Sequence, residues 1–235
     1  MKAIILAGGL GTRLRERVPN LPKAMAPVAG RPFLEYLLDA LWTGGIQEVL
    51  LSVGYRSDDI IKHFGNRYRG TIVHYCIETQ PLGTGGAIAH ALSQQPDEVA
   101  LVLNGDTFLG IDYRRLLRWY AEGPTEFAMV LHNLPDMGRY GAVLTSGERV
   151  VGFAEKGTSG PGLINAGIYI IQSGIFAKFD LRREFSFEVD FLQRYCDALR
   201  PRAYVSDAYF IDIGVTEDFE RAQRELPMRV VAQPA

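Results

Sequence analysis

A glycine-rich loop near the amino terminus and two nearby cations could together bind phosphate. The run Gly8-Gly9-Leu10-Gly11-Thr12-Arg13 directly follows apolar residues, and Pro22-Lys23 comes soon after it. Glycines allow close backbone approach, so the loop can direct N–H groups at phosphate oxygens, while Arg13 and Lys23 offset the charge of a triphosphate. The spacing fits neither a Walker loop nor the dinucleotide fingerprint. These residues alone are also compatible with a plain strand-to-helix turn.

Two aspartates could bind a divalent cation. Asp106 follows the apolar run 99–103, and Asp212 lies in Phe210-Ile211-Asp212-Ile213-Gly214. Ligands of open α/β sheets gather at the carboxyl ends of strands, and an unpaired carboxylate among apolar residues is costly to bury. Mg²⁺ favours one or two carboxylates together with phosphate oxygens and water, so we expect it here. A turn-forming or capping role for Asp106, and a salt-bridged core carboxylate at Asp212, are the alternatives.

The elements that must position these residues follow an α/β pattern. Short runs of Val, Ile and Leu alternate with amphipathic stretches, which predicts a buried, doubly wound parallel sheet with helices on both faces. Early strands are predicted at 3–7, 48–53, 71–77 and 99–103, with helices at 33–42, 58–64, 85–92 and 113–120. Later strands at 127–131, 142–144, 150–153 and 164–171 lack intervening long helices, which favours a mixed or antiparallel second half. A helix at 187–196, a strand at 210–213 and a helix at 217–224 capped by Thr216 complete the prediction.

The chain resembles a known family in these motifs. The run from Leu6 through the glycine loop to Leu14, followed by Pro22-Lys23, is similar to the signature of the sugar-1-phosphate nucleotidyltransferases, and later motifs recur in that family's order. The resemblance implies a Rossmann-like doubly wound mixed sheet of GT-A-like nucleotidyltransferase architecture in a single domain. That domain is expected at 1–226, with a nucleotide-binding part at about 1–125, a sugar-binding part at about 126–226 and a tail at 227–235.

The resemblance also implies roles for individual residues. Arg13, Lys23 and Asp106 would be catalytic, and Asp106 and Asp212 would hold Mg²⁺. The nucleotide would contact Leu6, Ala7, Gly8, Gly9, Gly11, Thr12, Arg13, Lys23, Glu78, Gly83 and Asp106. Glu78 and Gly83, which flank Thr79-Gln80-Pro81-Leu82, would lie near the base, although this segment alone could be a tight loop. The sugar phosphate would contact Tyr140, Gly141, Glu155, Lys156, Asn165 and Gly167.

Within the family, the 235-residue length and the run Pro81-Leu82-Gly83-Thr84-Gly85-Gly86-Ala87 most resemble the bacterial D-glycero-D-manno-heptose 1-phosphate guanylyltransferases. That branch implies GTP and a heptose 1-phosphate as substrates and GDP-heptose for capsule or lipopolysaccharide. A mannose-1-phosphate guanylyltransferase, an amino-sugar-1-phosphate uridylyltransferase and a non-catalytic regulator that binds sugar nucleotides remain alternatives. A glycosyltransferase is disfavoured because Asp106 is not part of an Asp-x-Asp motif.

Composition narrows the classes of partner. A net charge of −2 provides no general attraction for a polyanion, so we expect no nucleic-acid partner. No apolar run approaches the roughly 20 residues of a membrane span, and the apolar opening segment is shorter than that of a secretion signal. Two widely separated cysteines suit a reducing compartment, so we expect a cytoplasmic enzyme. The apolar face of the helix at 33–42 leaves a homodimer open.

Overall fold

The first strand lies at the centre of a large mixed sheet. The computed structural model describes residues 1–9, 18, 21–95, 97–154, 157 and 159–230. Within those ranges, ten strands pair into one sheet. In β1 (Ala3–Leu6), Ala3 and Ile5 join one buried cluster while Ile4 joins the cluster on the opposite face. Both faces of the sheet are therefore covered, as expected for the doubly wound prediction.

The first half of the chain forms the parallel part of the sheet. The strands of this half are β2 (Pro27–Val28), β3 (Arg31–Pro32), β4 (Glu48–Val53), β5 (Arg67–Tyr68), β6 (Thr71–Ile77), β7 (Val99–Asn104) and β8 (Thr107–Leu109). Of these, β2 and β3 form a separate antiparallel pair, β8 lies outside the large sheet, and β5 is antiparallel to β6. The helices of this half are α1 (Phe33–Thr43), α2 (Ser57–Phe64), α3 (Gly83–Ser93) and α4 (Tyr113–Glu122). Strand β1 pairs in parallel with both β4 and β7, and β4 pairs in parallel with β6. The chain thus extends the sheet to both sides of β1, which creates a switch point where ligands of such sheets bind.

The second half is largely antiparallel, as the sequence predicts. Its elements are β9 (Phe127–Leu134), β10 (Val143–Ser146), β11 (Arg149–Phe153), β12 (Gly162–Gln172), α5 (Cys196–Leu199), β13 (Arg202–Ser206), β14 (Phe210–Asp212) and α6 (Thr216–Arg229). Strand β12 is antiparallel to both β7 and β9, and β13 is parallel to β9. Because Ile168 pairs with Leu103, the residues just before Ile168 lie beyond the carboxyl end of β7. The two halves of the chain therefore meet at this edge.

A two-stranded ribbon next to that edge joins distant parts of the sequence. Strands β8 and β14 are antiparallel, with Asp212 opposite Thr107, and the Ile213 N–H donates to the Asp106 carbonyl oxygen at 3.0 Å. The pairing places Asp212 beside the turn that carries Asp106. Strand β8 is only three residues long and was not predicted, because such a short strand has little periodicity.

Three predictions at the carboxyl-terminal end need correction. The predicted helix at 187–196 is a π-helix over Phe187–Gln193 followed by the short α5. Thr216 is not the cap of the last helix: Val215 occupies that position without a side-chain hydrogen bond, and Glu217 and Asp218 place negative charge in the first turn instead. The last helix continues through Pro227 to Arg229, beyond the predicted end at 224.

Across the described residues, none of the helices combines the length and the apolar character that crossing a bilayer requires.

Candidate active site

The loop after β1 lies at the switch point of the sheet. Leu6 pairs with Asn104 at the ends of β1 and β7, and the Gly105 N–H donates to the Leu6 carbonyl oxygen at 3.0 Å. Gly8 is closely surrounded, since a Cβ there would lie 3.0 Å from Glu78 Oε1 and 3.1 Å from the Gly54 nitrogen. The structure thus brings the predicted residues Leu6, Ala7, Gly8 and Gly9 to the carboxyl edge of the sheet. Gly11, Thr12 and Arg13 lie outside the described residues.

Lys23 lies between the two predicted metal ligands. Its Nζ is 2.5 Å from Asp106 Oδ2 and 3.6 Å from Asp212 Oδ1. The lysine begins a short 3₁₀ turn, Lys23–Met25, directly after Pro22, whose fixed φ directs the chain toward the aspartates. Asp212 is held in turn by the Gly214 N–H, which donates to its Oδ1 at 2.7 Å. Residues separated by much of the chain thus form one charged cluster.

The electrostatics of this cluster favour a cation. Burial, and then the neighbouring charge of Asp106, raise the pKa of Asp212, while Lys23 and the Gly214 N–H act in the opposite direction. Two carboxylates this close repel each other unless positive charge lies nearby, and Lys23 supplies part of it. Their oxygen atoms suit the ligand preference of Mg²⁺. In the described ranges, no group of three or more His, Cys, Asp or Glu side chains could hold a metal, so Asp106 and Asp212 are a pair of candidate ligands and not a complete set.

The two aspartates line a large cavity that also contains most of the described acceptor-side residues. Its volume is about 730 Å³, and it is lined by Asp106 and Asp212 together with Tyr140, Gly141 and Asn165. Gly167 lies just behind this surface at φ +74°, where a Cβ would be 2.7 Å from Asn104 Nδ2 and 2.8 Å from Thr107 Oγ1. Glu155 and Lys156 lie outside the described residues. The predicted metal ligands and the described sugar-side residues therefore lie at the same cavity.

Tyr140 combines an apolar ring with a neutral hydroxyl at this cavity. Burial, and then the charge of Asp212, raise the pKa of Tyr140 to about 12, so the phenol stays protonated at neutral pH. Its neighbour Arg139 also lines the cavity and donates to Asp218, a buried carboxylate of α6. This ion pair ties the Tyr140-Gly141 turn to the last helix.

Glu78 follows β6, which lies on the other side of β1 from the acceptor-side strand β12, and Gly83 begins α3. Glu78 Oε1 accepts a hydrogen bond from Ser52 Oγ at 3.2 Å, and burial raises the pKa of Glu78. Gly83 has φ +68°, and a Cβ there would be 2.5 Å from the Phe185 carbonyl oxygen, so only glycine fits. The Gly85 N–H donates to that same Phe185 oxygen at 3.0 Å. The predicted base-side loop is therefore fixed against a segment from the second half.

Several cavity residues are absent from the sequence-based prediction. The polar ones are Thr84, Asn104, Thr107, Ser186, Glu188 and Gln193. Asn104 and Thr107 flank the predicted Asp106 and could have been found by treating the whole strand end as a site. Thr84 adjoins Gly83 in a motif that was recognised. Ser186 and Glu188 carry no such local signal, because only tertiary packing brings their helix to the cavity.

Comparison with known proteins accords with this geometry. The model of the family described as Nucleotidyl transferase matches residues 2–228. The chain belongs to the nucleotidyl transferase family. It is therefore a nucleotidyltransferase enzyme, and the family predicted from the glycine loop and Pro22-Lys23 is confirmed.

Two curated relatives and one solved structure refine the comparison. The chain is 44% identical over 226 residues to the D-glycero-alpha-D-manno-heptose 1-phosphate guanylyltransferase of Aneurinibacillus thermoaerophilus, covering 96% of this nucleotidyltransferase and 98% of the relative. It is 44% identical over 220 residues to the protein of that name from Campylobacter jejuni, covering 93% and 97%. HddC from Yersinia pseudotuberculosis, complexed with GMP-PN, matches with a TM-score of 0.84 and 36% identity over 95% of this chain and 98% of HddC.

Proposed function

We propose that this nucleotidyltransferase transfers GMP from GTP to D-glycero-D-manno-heptose 1-phosphate, releases pyrophosphate and requires Mg²⁺. The observation that carries the proposal is the meeting of Lys23, Asp106 and Asp212 at a cavity that also contains Tyr140 and Asn165. The names of the two relatives at 44% identity support the choice of sugar and base. The bound GMP-PN in HddC supports a guanine nucleotide.

The strand order suggests where each part of the substrates binds. Glu78 directly follows β6, the glycine loop follows β1, Asp106 follows β7, and Asn165 lies in β12 beyond the end of β7. These strands are neighbours in the order β6-β4-β1-β7-β12. Four strand spacings of about 4.8 Å span roughly 19 Å, enough to align base, phosphates and sugar along one edge. We therefore assign the base to Glu78, the phosphates to the loop and Lys23, and the sugar to the cavity.

The carboxylate of Glu78 supports guanine over uracil and thymine. Guanine presents two adjacent donors, N1–H and the N2 amino group, which match the two oxygens of one carboxylate. Uracil and thymine instead present a single N–H between two carbonyl oxygens, one of which would face a carboxylate oxygen without a proton. Glu78 Oε1 lies beside Gly8, close to the loop assigned to the phosphates. A carboxylate at Glu78 would thus favour GTP over UTP.

The reaction needs no protein nucleophile. An oxygen of the sugar 1-phosphate forms a bond to the α-phosphorus of GTP, while the bond from that phosphorus to the bridging oxygen of the β-phosphate breaks. Pyrophosphate leaves with the electron pair of that bond. The enzyme's task is then to hold two anionic groups in line and to offset their charge.

Lys23 and the two aspartates suit that task. Asp106 and Asp212 would hold Mg²⁺, which when bound supplies positive charge to phosphate oxygens. The Lys23 ammonium, only 2.5 Å from Asp106, is close enough to turn toward the α-phosphate once the carboxylates have another cation. Asn165 and Tyr140 would orient the acceptor from the opposite side through hydrogen bonds to its hydroxyls. The attacking oxygen of the sugar 1-phosphate would then be held in line with the bond from the α-phosphorus to the leaving pyrophosphate.

A substrate matrix tests the proposal. Pyrophosphate release is measured for GTP, ATP, UTP and CTP, each combined with heptose, mannose, glucose and N-acetylglucosamine 1-phosphates, with magnesium and with chelator. We expect GTP with the heptose to give the highest kcat/KM by at least about tenfold, since each well-placed hydrogen bond contributes that order of discrimination. Activity should be lost in chelator. A higher kcat/KM with UTP would contradict the choice of base, and a higher kcat/KM with mannose 1-phosphate would contradict the choice of sugar. Full activity in chelator would contradict the requirement for Mg²⁺.

A further inference from the structure

Ser52 is a polar residue in the interior of the large sheet. It lies in β4, is fully buried and pairs with Leu6 of β1 on one side and with Cys76 of β6 on the other. Leu50, two residues earlier and therefore on the same face, belongs to an apolar cluster, as does Cys76. Burying a hydroxyl without a hydrogen bond is costly, so a serine in this row is expected to have a polar partner.

The partner of the Ser52 hydroxyl is the residue that we assign to the base. Ser52 Oγ donates to Glu78 Oε1 at 3.2 Å, and of the described side chains only that of Ser52 donates a hydrogen bond to this carboxylate. The Glu78 N–H donates to the Val53 carbonyl oxygen at 2.8 Å. Two consecutive residues at the end of β4 thus hold both the backbone and the carboxylate of Glu78.

Ser52 also holds the start of the glycine loop. Its carbonyl oxygen accepts a hydrogen bond from the Ala7 N–H at 2.7 Å. Gly8 follows, and an added Cβ there would lie only 3.0 Å from Glu78 Oε1, so the carboxylate lies against the loop. Through its carbonyl and its hydroxyl, Ser52 therefore connects the loop that we assign to the phosphates with the carboxylate that we assign to the base.

The charge of Glu78 depends on its hydrogen-bond donors. Burial raises the pKa of Glu78, whereas the Ser52 hydroxyl, the Leu82 N–H and the charge of His90 in α3 lower it. The other titratable groups in the described residues that share a cavity with Glu78 or interact with its charge are Cys76, Arg182 and Arg183. Removing the Ser52 hydroxyl would leave the effect of burial less opposed and would favour the protonated form of Glu78.

Ionisation decides what Glu78 offers to a base. An ionised carboxylate presents two acceptor oxygens that can each accept more than one hydrogen bond, so the bond from Ser52 leaves both available to guanine. A protonated carboxyl presents one donor and one acceptor, as a glutamine does. We propose that Ser52 is a positioning residue that holds the Glu78 carboxylate against the glycine loop and thereby favours GTP over UTP. This role rests on the proposed function in one respect, the contact of Glu78 with the base.

The first test removes the hydroxyl and keeps the backbone. In Ser52→Ala, kcat/KM with GTP should fall about tenfold at neutral pH, as expected for losing a hydrogen bond to a charged group, while kcat/KM with UTP does not fall. Ser52→Thr keeps the hydroxyl and should retain the wild-type ratio of GTP to UTP. The control Ser173→Ala should match wild type, because Ser173 Oγ donates to the Asp97 carbonyl oxygen at 2.7 Å, just before β7 and away from the site. Thermal unfolding checks that each variant is folded. Wild-type kcat/KM with GTP in Ser52→Ala, or an equal fall for GTP and UTP, would overturn the proposal.

The pH profile separates positioning of the carboxylate from a general loss of structure. Because kcat/KM reports the ionisable groups of the free enzyme, GTP and UTP are compared from about pH 5 to about pH 9 in wild type and Ser52→Ala. Removing a donor raises the pKa of Glu78, so the decline with GTP at acidic pH should begin at a higher pH in the variant, and its deficit should shrink as pH rises. A deficit of the same size at every pH, or a shift of equal size for UTP, would contradict the role of Ser52.

Failure of this role and failure of the base assignment give different results. The double variant Ser52→Ala/Glu78→Gln should lose less than about twofold in kcat/KM for GTP relative to Glu78→Gln, because both residues act through the same side chain. A further loss of about tenfold would overturn the role of Ser52 alone. Wild-type kcat/KM for GTP in Glu78→Gln would instead overturn the base assignment, and the role of Ser52 with it. Calorimetry with GTP and UTP alone gives the same comparison as affinities, so the test does not depend on the acceptor sugar.

Discussion

The proposed nucleotide side and the proposed acceptor side of the site are built in different ways. On the nucleotide side, the glycine loop, Glu78 and Asp106 each follow the carboxyl end of a parallel strand, which is the general ligand-binding position of such sheets. On the acceptor side, Asn165 and Gly167 lie within an antiparallel strand, where the pairing of β12 with β9 shifts register after Asn165. Such irregularities re-aim side chains out of the regular pleat.

The difference teaches where specificity can change. Parallel strand ends are set by the hydrogen bonding of the central sheet, so a residue such as Asp106 keeps its place as long as the fold forms. The acceptor residues depend on one bulged strand, the Tyr140 turn and a π-helix, and π-bulges are frequent at functional sites. We infer that the nucleotide side carries the chemistry and that the acceptor side carries the choice of sugar. Three substitutions test this division.

The largest effect is expected at Asp106. Asp106→Asn keeps the shape of the side chain but removes a charge that pairs with Lys23 and would bind magnesium. Losing one group that stabilises the transition state costs about 3–4 kcal/mol, so kcat for pyrophosphate release should fall by about 100- to 1000-fold. Asp197→Asn, at an exposed aspartate of α5, is the control, and thermal unfolding checks that both variants stay folded. Turnover within threefold of wild type at saturating magnesium would contradict the metal role.

The next effect concerns the base. Glu78→Gln replaces two acceptor oxygens by one acceptor and one donor, which no longer match the two adjacent donors of guanine. We expect kcat/KM for GTP to fall about 30- to 150-fold, or roughly 2–3 kcal/mol, and kcat/KM for UTP to rise. The exposed Glu122 of α4 provides the control substitution Glu122→Gln. An equal fall for GTP and UTP would mean that Glu78 supports the loop rather than reading the base.

The positions of these two residues at strand ends could be predicted because their signals are local. Asp106 and Glu78 each follow an apolar strand, so periodicity and a motif locate them together. The contact between Asp106 and Asp212 could not be derived in this way, because it depends on the pairing of Asp212 with Thr107 in a three-residue strand. Glu188 was missed for a related reason: the spacing of Phe187 and Phe191 indicates a helix, but periodicity does not reveal a π-helix or the cavity that it faces.

The smallest effect tests the bulge of the acceptor strand. Gly167 and Gly174 both have positive φ, +74° and +80°, but only at Gly167 would an added Cβ meet other atoms within 4 Å. Alanine at either site should therefore cost about 1–2 kcal/mol of backbone strain, measured by urea unfolding. Gly167→Ala should lose about 1–3 kcal/mol more, since its methyl group must displace Asn104 and Thr107.

Kinetics of the same pair decide whether the bulge sets the acceptor pocket. Displacing the Gly167 backbone moves Asn165, whose Oδ1 accepts from the Gly167 N–H at 3.0 Å. We expect the KM of the sugar 1-phosphate to rise about tenfold in Gly167→Ala, because small misplacements of positioning groups are costly, while the KM of GTP stays within about twofold. Gly174→Ala should leave both unchanged. An equal rise in the KM of GTP and of the sugar 1-phosphate would contradict the division between the nucleotide side and the acceptor side. It would mean that a shift of Thr107 displaces Asp212, which pairs with Thr107 in the β8–β14 ribbon.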